Sequence, residues 1–234
     1  METYIFKNPD ETALNFAKFL ARETANKPNF SIALSGGSTP KLLFDILAAD
    51  FKETINWPNI RFFWGDERCV PPDHSESNYG VANERLFKQI AWKLAVHRIE
   101  GENDPEVEAR NYSKLIISKL NLVNDLPEFD LVILGLGEDG HTASIFPNQM
   151  SLLESDKICE VATHPQSGQK RITLTGKVIN NAETVAFLVT GKSKAERVHE
   201  ITKQTERAQS YPAAHIRPKG DLLWYMDEAA AANL

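Results

Sequence analysis

Apolar positions along this chain follow two alternating rhythms: short continuous runs, and longer stretches in which they recur at helical spacing. In segment 8–27 (NPDETALNFAKFLARETANK), Ala13, Leu14, Ala17, Leu20 and Ala21 share one face. With Asn8 as a cap and Pro9 in the first turn, this predicts a helix. FSIALS (30–35) reads as a short buried strand and 39–50 as a helix. The alternation predicts a strand over 60–67, a helix over 77–90, a short strand over 96–101, a helix over 104–120 and a strand over 129–137. Further strands are expected over 157–164, 171–175 and 184–191, a helix over 192–204, and a final strand-helix pair over 220–234.

Continuous apolar strands, rather than half-polar ones, belong to sheets buried on both faces. The expected fold class is therefore α/β, a mostly parallel sheet with helices on both faces. No repeat, low-complexity tract or long linker divides the sequence, so residues 1–234 read as one domain. In such folds ligands bind at the carboxyl ends of the strands. Four predicted strand ends carry polar, glycine-rich sequence: Ser35-Gly36-Gly37-Ser38-Thr39, Gly65-Asp66-Glu67-Arg68, the stretch LGLGEDGHTASIFP (134–147), and Gly191-Lys192-Ser193-Lys194.

Composition narrows the classes of function. A net charge of −6 with 42% hydrophobic residues fits neither a disordered chain nor a nucleic-acid binder. Cys69 and Cys159 stand far apart, in no spacing that suggests a zinc site or a disulfide framework. The amino-terminal segment lacks the basic-then-apolar pattern of a signal, and no uncharged stretch is long enough to span a bilayer. A cytoplasmic protein with no membrane partner is expected; oligomeric state is not readable.

In LSGGSTPKLL a glycine-rich turn runs into a helix start. Gly36 and Gly37 let backbone N–H groups approach an anion closely, and Ser38 and Thr39 add hydroxyl donors. A tight turn capped by Ser38 or Thr39 accounts for the same residues. Neither a Walker A loop nor a dinucleotide fingerprint is present. GDERCVPPDHSESNYG offers Arg68 for bidentate phosphate contact, with Asp66 or Glu67 to hold a basic group in place. A solvated charged loop is the alternative, and His74 reads as surface.

In GLGEDGHTAS, His141 follows Glu138 and Asp139 at a strand end. Imidazole can accept and return a proton near neutrality, and a neighbouring carboxylate can set its tautomer. A structural histidine is the alternative; no metal-ligand spacing and no Gly-x-Ser-x-Gly elbow is present. Lys192 and Lys194 sit at another helix start and Arg171 opens a strand. Trp224, Tyr225 and Met226 read as core.

Taken together and in order, LSGGSTP, GDERCVPPDHSESNYG, LGLGEDGHTASIFP, RITLT, GKSKA and PAAHIRPKGDLLWYMDEAAA resemble the 6-phosphogluconolactonase family across nearly the whole chain. The resemblance implies a Rossmann-like fold, a sugar-phosphate lactone as substrate and no cofactor or metal. His141 would be the acid-base residue, oriented by Asp139 or Glu138. Arg68 and Lys192 would hold the 6-phosphate with the 35–39 turn, helped by Arg171. The related glucosamine-6-phosphate deaminases continue after Asp-Gly-His as Ile-Ala-Phe-Asn-Glu-Pro. Here Thr142-Ala143-Ser144-Ile145-Phe146-Pro147 follows, with Phe146 at the glutamate's place. Arginine after Asp66-Glu67 also resembles the lactonases, the deaminases having tyrosine. A non-catalytic sugar-phosphate sensor on the same fold is a further possibility that the phosphate loop alone does not distinguish.

Overall fold

The computed structural model describes residues 1–25 and 27–234. In chain order its strands are β1 (Glu2–Phe6), β2 (Phe30–Leu34), β3 (Ile60–Trp64), β4 (Asp66–Arg68), β5 (Ala95–Val96), β6 (Leu122–Val123), β7 (Leu126–Pro127), β8 (Leu131–Leu134), β9 (Cys159–Thr163), β10 (Lys170–Leu174), β11 (Thr184–Val189) and β12 (Asp221–Asp227). The α-helices are α1 (Pro9–Ala25), α2 (Ser38–Asp50), α3 (Asn78–Arg85), α4 (Pro105–Lys119), α5 (Gly176–Asn180) and α6 (Ala195–Thr202).

Seven strands form one sheet in the order β1-β12-β11-β8-β2-β3-β5, and every pairing in it is parallel. Every residue of β2 and β8 is buried, as continuous apolar runs require when both faces are covered. The α/β expectation is met: a parallel sheet with helices packed around it. From β2 the chain steps outward through β3 to β5; it returns to β8 and steps the other way through β11 to β12. Strand order therefore reverses between β2 and β8, which opens a crevice beyond their carboxyl ends.

Local chemistry sets the helix starts. The Asn8 side chain accepts from the Glu11 N–H at 2.9 Å, Ser77 from that of Gly80 at 3.0 Å and Asp104 from that of Val107 at 3.0 Å. Such caps contribute about 1 kcal/mol each. Tyr112 of α4 reaches the end of β3, where its hydroxyl accepts from the Trp64 N–H at 2.8 Å.

Several elements depart from the sequence pattern. The segments predicted over 157–164 and 171–175 do pair, as β9 and β10, but in a separate antiparallel sheet of order β4-β10-β9. β1 was not signalled, because its side chains are largely exposed and lack an apolar rhythm. The strand predicted over 96–101 is reduced to Ala95–Val96, and the short α5 lies outside every predicted helix. Residues 228–234 form turns rather than a helix: the Asp227 carboxylate accepts from the Ala230 N–H at 2.7 Å and the Gly191 N–H at 3.0 Å, bending the chain away from the sheet. Trp224, Tyr225 and Met226 are core residues. None of the described helices is long and apolar enough to cross a membrane.

Candidate active site

A cleft of about 200 Å3 lies at the strand-order reversal, lined by Ser35, Gly36 and Gly37 after β2 and Gly135, Leu136 and Gly137 after β8. Asp66, Arg68, Asn78, His141, Ala143, Arg171 and Lys194 complete its wall. A larger concavity of about 470 Å3 is lined by Ile201, Thr205, Gly220, Leu222 and Trp224, at the end of the sheet where β12 begins. Its lining includes His215 and Arg217 but no carboxylate side chain.

The 137–141 turn is closed on itself. The Gly137 N–H donates to the His141 carbonyl at 2.8 Å, and the Gly140 N–H to the Gly137 carbonyl at 3.1 Å. Asp139 Oδ1 accepts from the His141 backbone N–H at 3.1 Å and stands 2.6 Å from His141 Nδ1. Burial favours the neutral Asp139 carboxyl, but the hydrogen bonds and charge of His141 outweigh it and hold the group at about 2. With the carboxylate accepting, the neutral imidazole carries its proton on Nδ1 and its lone pair on Nε2. Glu138 does not share this role: its side chain is 70% exposed and stands 4.0 Å from the Lys194 ammonium.

The two hydroxyls of HTAS stitch the motif to its neighbours. Thr142 donates to the Gly135 carbonyl at 2.9 Å, and Ser144 to Asp66 Oδ2 at 2.6 Å. Between them Ala143 has a φ of 47°, a strained conformation for a residue with a side chain, held by the bonds on either side. Phe146 is fully buried. His141 packs 4.9 Å from its ring centroid, and the Arg171 guanidinium lies 5.6 Å from it.

The cations converge from three elements. β4 and β10 place Arg68 directly opposite Arg171. The Nε of each is buried with no partner among the described residues. Arg68 Nη1 donates to the Glu76 carbonyl at 2.5 Å, which fixes its direction. Burial and the neighbouring Arg68 charge lower the pKa of Arg171, opposed by Asp66. Two guanidiniums and the Lys194 ammonium around a small cleft make a strong field for an anion with several oxygens. Gly36 and Gly37 add the amino end of α2, where helix N–H groups lack internal partners.

Not every residue singled out in the sequence reaches this cleft. Lys192 is exposed and outside the wall, whereas Lys194, at the end of the same 3-10 turn, lines it. Ser38 is exposed, and the Thr39 hydroxyl pairs with that of Thr190 at 2.8 Å. Neither caps α2, whose N-cap is Gly37. Glu67 is buried beneath the site and accepts from the Ser77 hydroxyl and from the N–H groups of Arg68, Asn78 and Tyr79. Burial pushes its carboxyl up, against those bonds. Asn78 carries no chemical signal of its own in the sequence. It donates to the Asp66 carbonyl at 3.0 Å and lines the cleft, a placement signalled only by the Ser77 cap before it. No group of three or more His, Cys, Asp or Glu among the described residues converges to hold a metal ion.

The sequence model for glucosamine-6-phosphate isomerases/6-phosphogluconolactonase matches residues 8–224. A 6-phosphogluconolactonase of Haemophilus influenzae is 44% identical over 220 residues, covering 93% of this chain and 92% of that protein. This chain belongs to the glucosamine-6-phosphate isomerase/6-phosphogluconolactonase family. Among solved structures, the crystal structure of devB protein is similar to it with a TM-score of 0.94 and 41% identity, covering 100% of this chain and 99% of that one. The 6-phosphogluconolactonase of Trypanosoma brucei gives a TM-score of 0.86 at 29% identity, covering 100% and 98%. In this chain His141, Arg68, Arg171 and Lys194 line one crevice at the strand ends of the parallel sheet.

Proposed function

We propose that this chain hydrolyses 6-phospho-D-glucono-1,5-lactone to 6-phospho-D-gluconate, the second step of the oxidative pentose phosphate pathway, without a cofactor. One observation carries the reading: an imidazole with Nδ1 tied to Asp139 lines the same cleft as Arg68, Arg171 and Lys194. The activity is the one named for the Haemophilus influenzae relative.

In this mechanism the 6-phosphate sits among the cations and the lactone C1 faces His141. Nε2 takes a proton from a water as its oxygen bonds to C1, and the carbonyl oxygen becomes an oxyanion. Backbone N–H groups of the glycine turns or a cation face that charge. As the tetrahedral intermediate collapses, the C1–O5 bond breaks and the imidazolium returns the proton to O5. Asp139 stabilises the imidazolium formed in between. A lactone is already an activated ester, so positioning and proton transfer suffice and no nucleophilic side chain is assigned.

The test generates the lactone from glucose 6-phosphate with a dehydrogenase and follows its loss with and without this protein, alongside ammonia release from glucosamine 6-phosphate. Accelerated lactone loss without ammonia is expected. His141→Asn should lower kcat about 10²-fold or more, and Arg68→Ala should chiefly raise KM. Ammonia release, or binding of 6-phosphogluconate without turnover, overturns the assignment.

A further inference from the structure

The acid-base turn is held from outside by α6, the helix that follows Lys194. Arg197, in the first turn of α6, donates from Nε to the Glu138 carbonyl at 2.9 Å. That carbonyl belongs to the same rigid peptide plane as the Asp139 N–H. Its orientation therefore sets where the Asp139 side chain departs, and Asp139 in turn holds His141 Nδ1.

Arg197 is itself fixed on every side. Its side chain is 14% exposed, Nη1 pairs with Glu200, and its guanidinium lies 5.1 Å from the Tyr211 ring centroid. The Tyr211 hydroxyl donates to the same Glu200 Oε2 at 2.8 Å. Tyr211 then meets the turn a second time. A Cβ added to Gly140 would come within 2.4 Å of Tyr211 Cγ, so the ring packs directly on the Gly140 backbone. The Ala213 N–H donates to the Gly140 carbonyl at 3.1 Å. The turn is thus gripped at Glu138 by Arg197 and at Gly140 by the segment after α6, and Glu200 joins the two grips. Surface arginines make many ion pairs of little consequence. This one spends its Nε on a backbone carbonyl next to the base-orienting carboxylate, an arrangement a surface ion pair does not need.

We infer that Arg197, clamped by Glu200 and Tyr211, is a positioning residue for catalysis, which orients the Glu138-Asp139 peptide so that Asp139 holds the His141 imidazole in its Nδ1-protonated form. The inference rests on the proposed lactonase reading for its kinetic consequence but not for its geometric one.

The experiment compares wild type with Arg197→Met, which keeps an aliphatic stem over Tyr211, Arg197→Lys, which keeps the charge, and Tyr211→Phe, which removes only the bond to Glu200. Steady-state lactone hydrolysis, thermal unfolding and the ring 15N shifts of His141 are read on each. In Arg197→Met, kcat should fall 10- to 100-fold with KM within about threefold, in line with the sensitivity of catalysis to small misplacements of a catalytic group. Arg197→Lys should recover part of the loss, and Tyr211→Phe should lose less than Arg197→Met. The His141 15N shifts should move from the Nδ1-H form toward a mixture of tautomers. A folded Arg197→Met protein with wild-type kcat and an unchanged His141 tautomer overturns the inference. A lower melting temperature with wild-type kcat in the folded fraction also overturns it, since that is a purely structural role. If wild type itself does not accelerate lactone loss, the lactonase reading fails, and the His141 shifts still decide whether Arg197 orients the pair.

Discussion

Adding a single methyl group at Gly137 separates fold from chemistry. A Cβ there would lie 2.1 Å from His141 Nδ1, 2.4 Å from Cε1 and 2.6 Å from Asp139 Oδ1, whereas ordinary contact begins near 3.4 Å. The difference between 3.4 and 2.1 Å requires the imidazole to retreat by about 1.3 Å; that between 3.4 and 2.6 Å moves the carboxylate by about 0.8 Å. The backbone cannot absorb this shift, because it follows the buried β8 and is pinned by bonds to the His141 carbonyl and the Gly140 N–H. The side chains must move instead. They are 28% and 44% exposed, so room exists toward solvent.

A misplacement near 1 Å costs roughly 10²-fold in rate, about 2.7 kcal/mol of transition-state stabilisation. Gly137→Ala should therefore lower kcat about 10²-fold in the coupled lactone assay. KM should stay within about threefold, since the cations do not move, and the melting temperature within a few degrees. Gly65→Ala serves as the control: at the end of β3 its Cβ would find its nearest neighbour, the Leu34 carbonyl, at 3.6 Å, and both kcat and melting temperature should stay near wild type. A Gly137→Ala enzyme with kcat within threefold of wild type would refute the placement of His141 as the proton-transfer group.

Other expectations follow from the same geometry. Asp139→Asn presents an amide that can donate to Nδ1 and leave the imidazole proton on Nε2; kcat should fall at least 10²-fold with little change in KM. Burial pushes the Cys159 thiol up to about 12 and that of the half-buried Cys69 up to about 11, so both should react with a disulfide reagent at pH 8 more slowly than in the denatured protein. Phe146→Ala removes a fully buried ring and should cost about 3–5 kcal/mol in chemical denaturation. Burial, with the Lys119 and Arg61 charges, lowers the His97 pKa below 6.5. The unfolded state then binds the proton first as pH falls, so stability is lost from about pH 6.5 downward to the folded value. The drop in melting temperature between pH 7.5 and 5 should shrink in His97→Gln.

The parts of the site legible in the sequence are those whose partners are close along the chain. Glu138 and Asp139 lie within three residues of His141, and glycine, acid and imidazole at a strand end suffice to suggest that one of the two pairs with the ring. Which acid faces the imidazole was not legible, because it depends on the backbone path through Gly140, whose φ is +85°. Arg171 meets Arg68 only through the β4–β10 register, for which the local sequence contains no signal. The choice between Lys192 and Lys194 turns on one 3-10 turn, which changes which lysine faces the cleft. β1 carries no sequence signal for a similar reason: its order comes from pairing with β12 and from Tyr4 packing 4.9 Å from Tyr225, not from a pattern of its own. The alanine-rich end of the chain has high helix propensity, yet Asp227 spends its carboxylate on two backbone N–H groups, and local bonding overrides propensity.

A carboxylate at position 146 would lie beside both the imidazole and a guanidinium, since the Phe146 ring is 4.9 Å from that of His141 and 5.6 Å from the Arg171 guanidinium. It would pair with Arg171 and withdraw that charge from an incoming anion, and it would place a second acid against the base that Asp139 already orients. The ring does neither. Its face attracts the guanidinium without neutralising it, while its buried bulk fills the space beside the His141 ring. The proposed hydrolysis asks for one imidazole, one orienting carboxylate and cations with no carboxylate at 146 to pair with them. An added acid-base group at 146 would serve a reaction with a further proton to move.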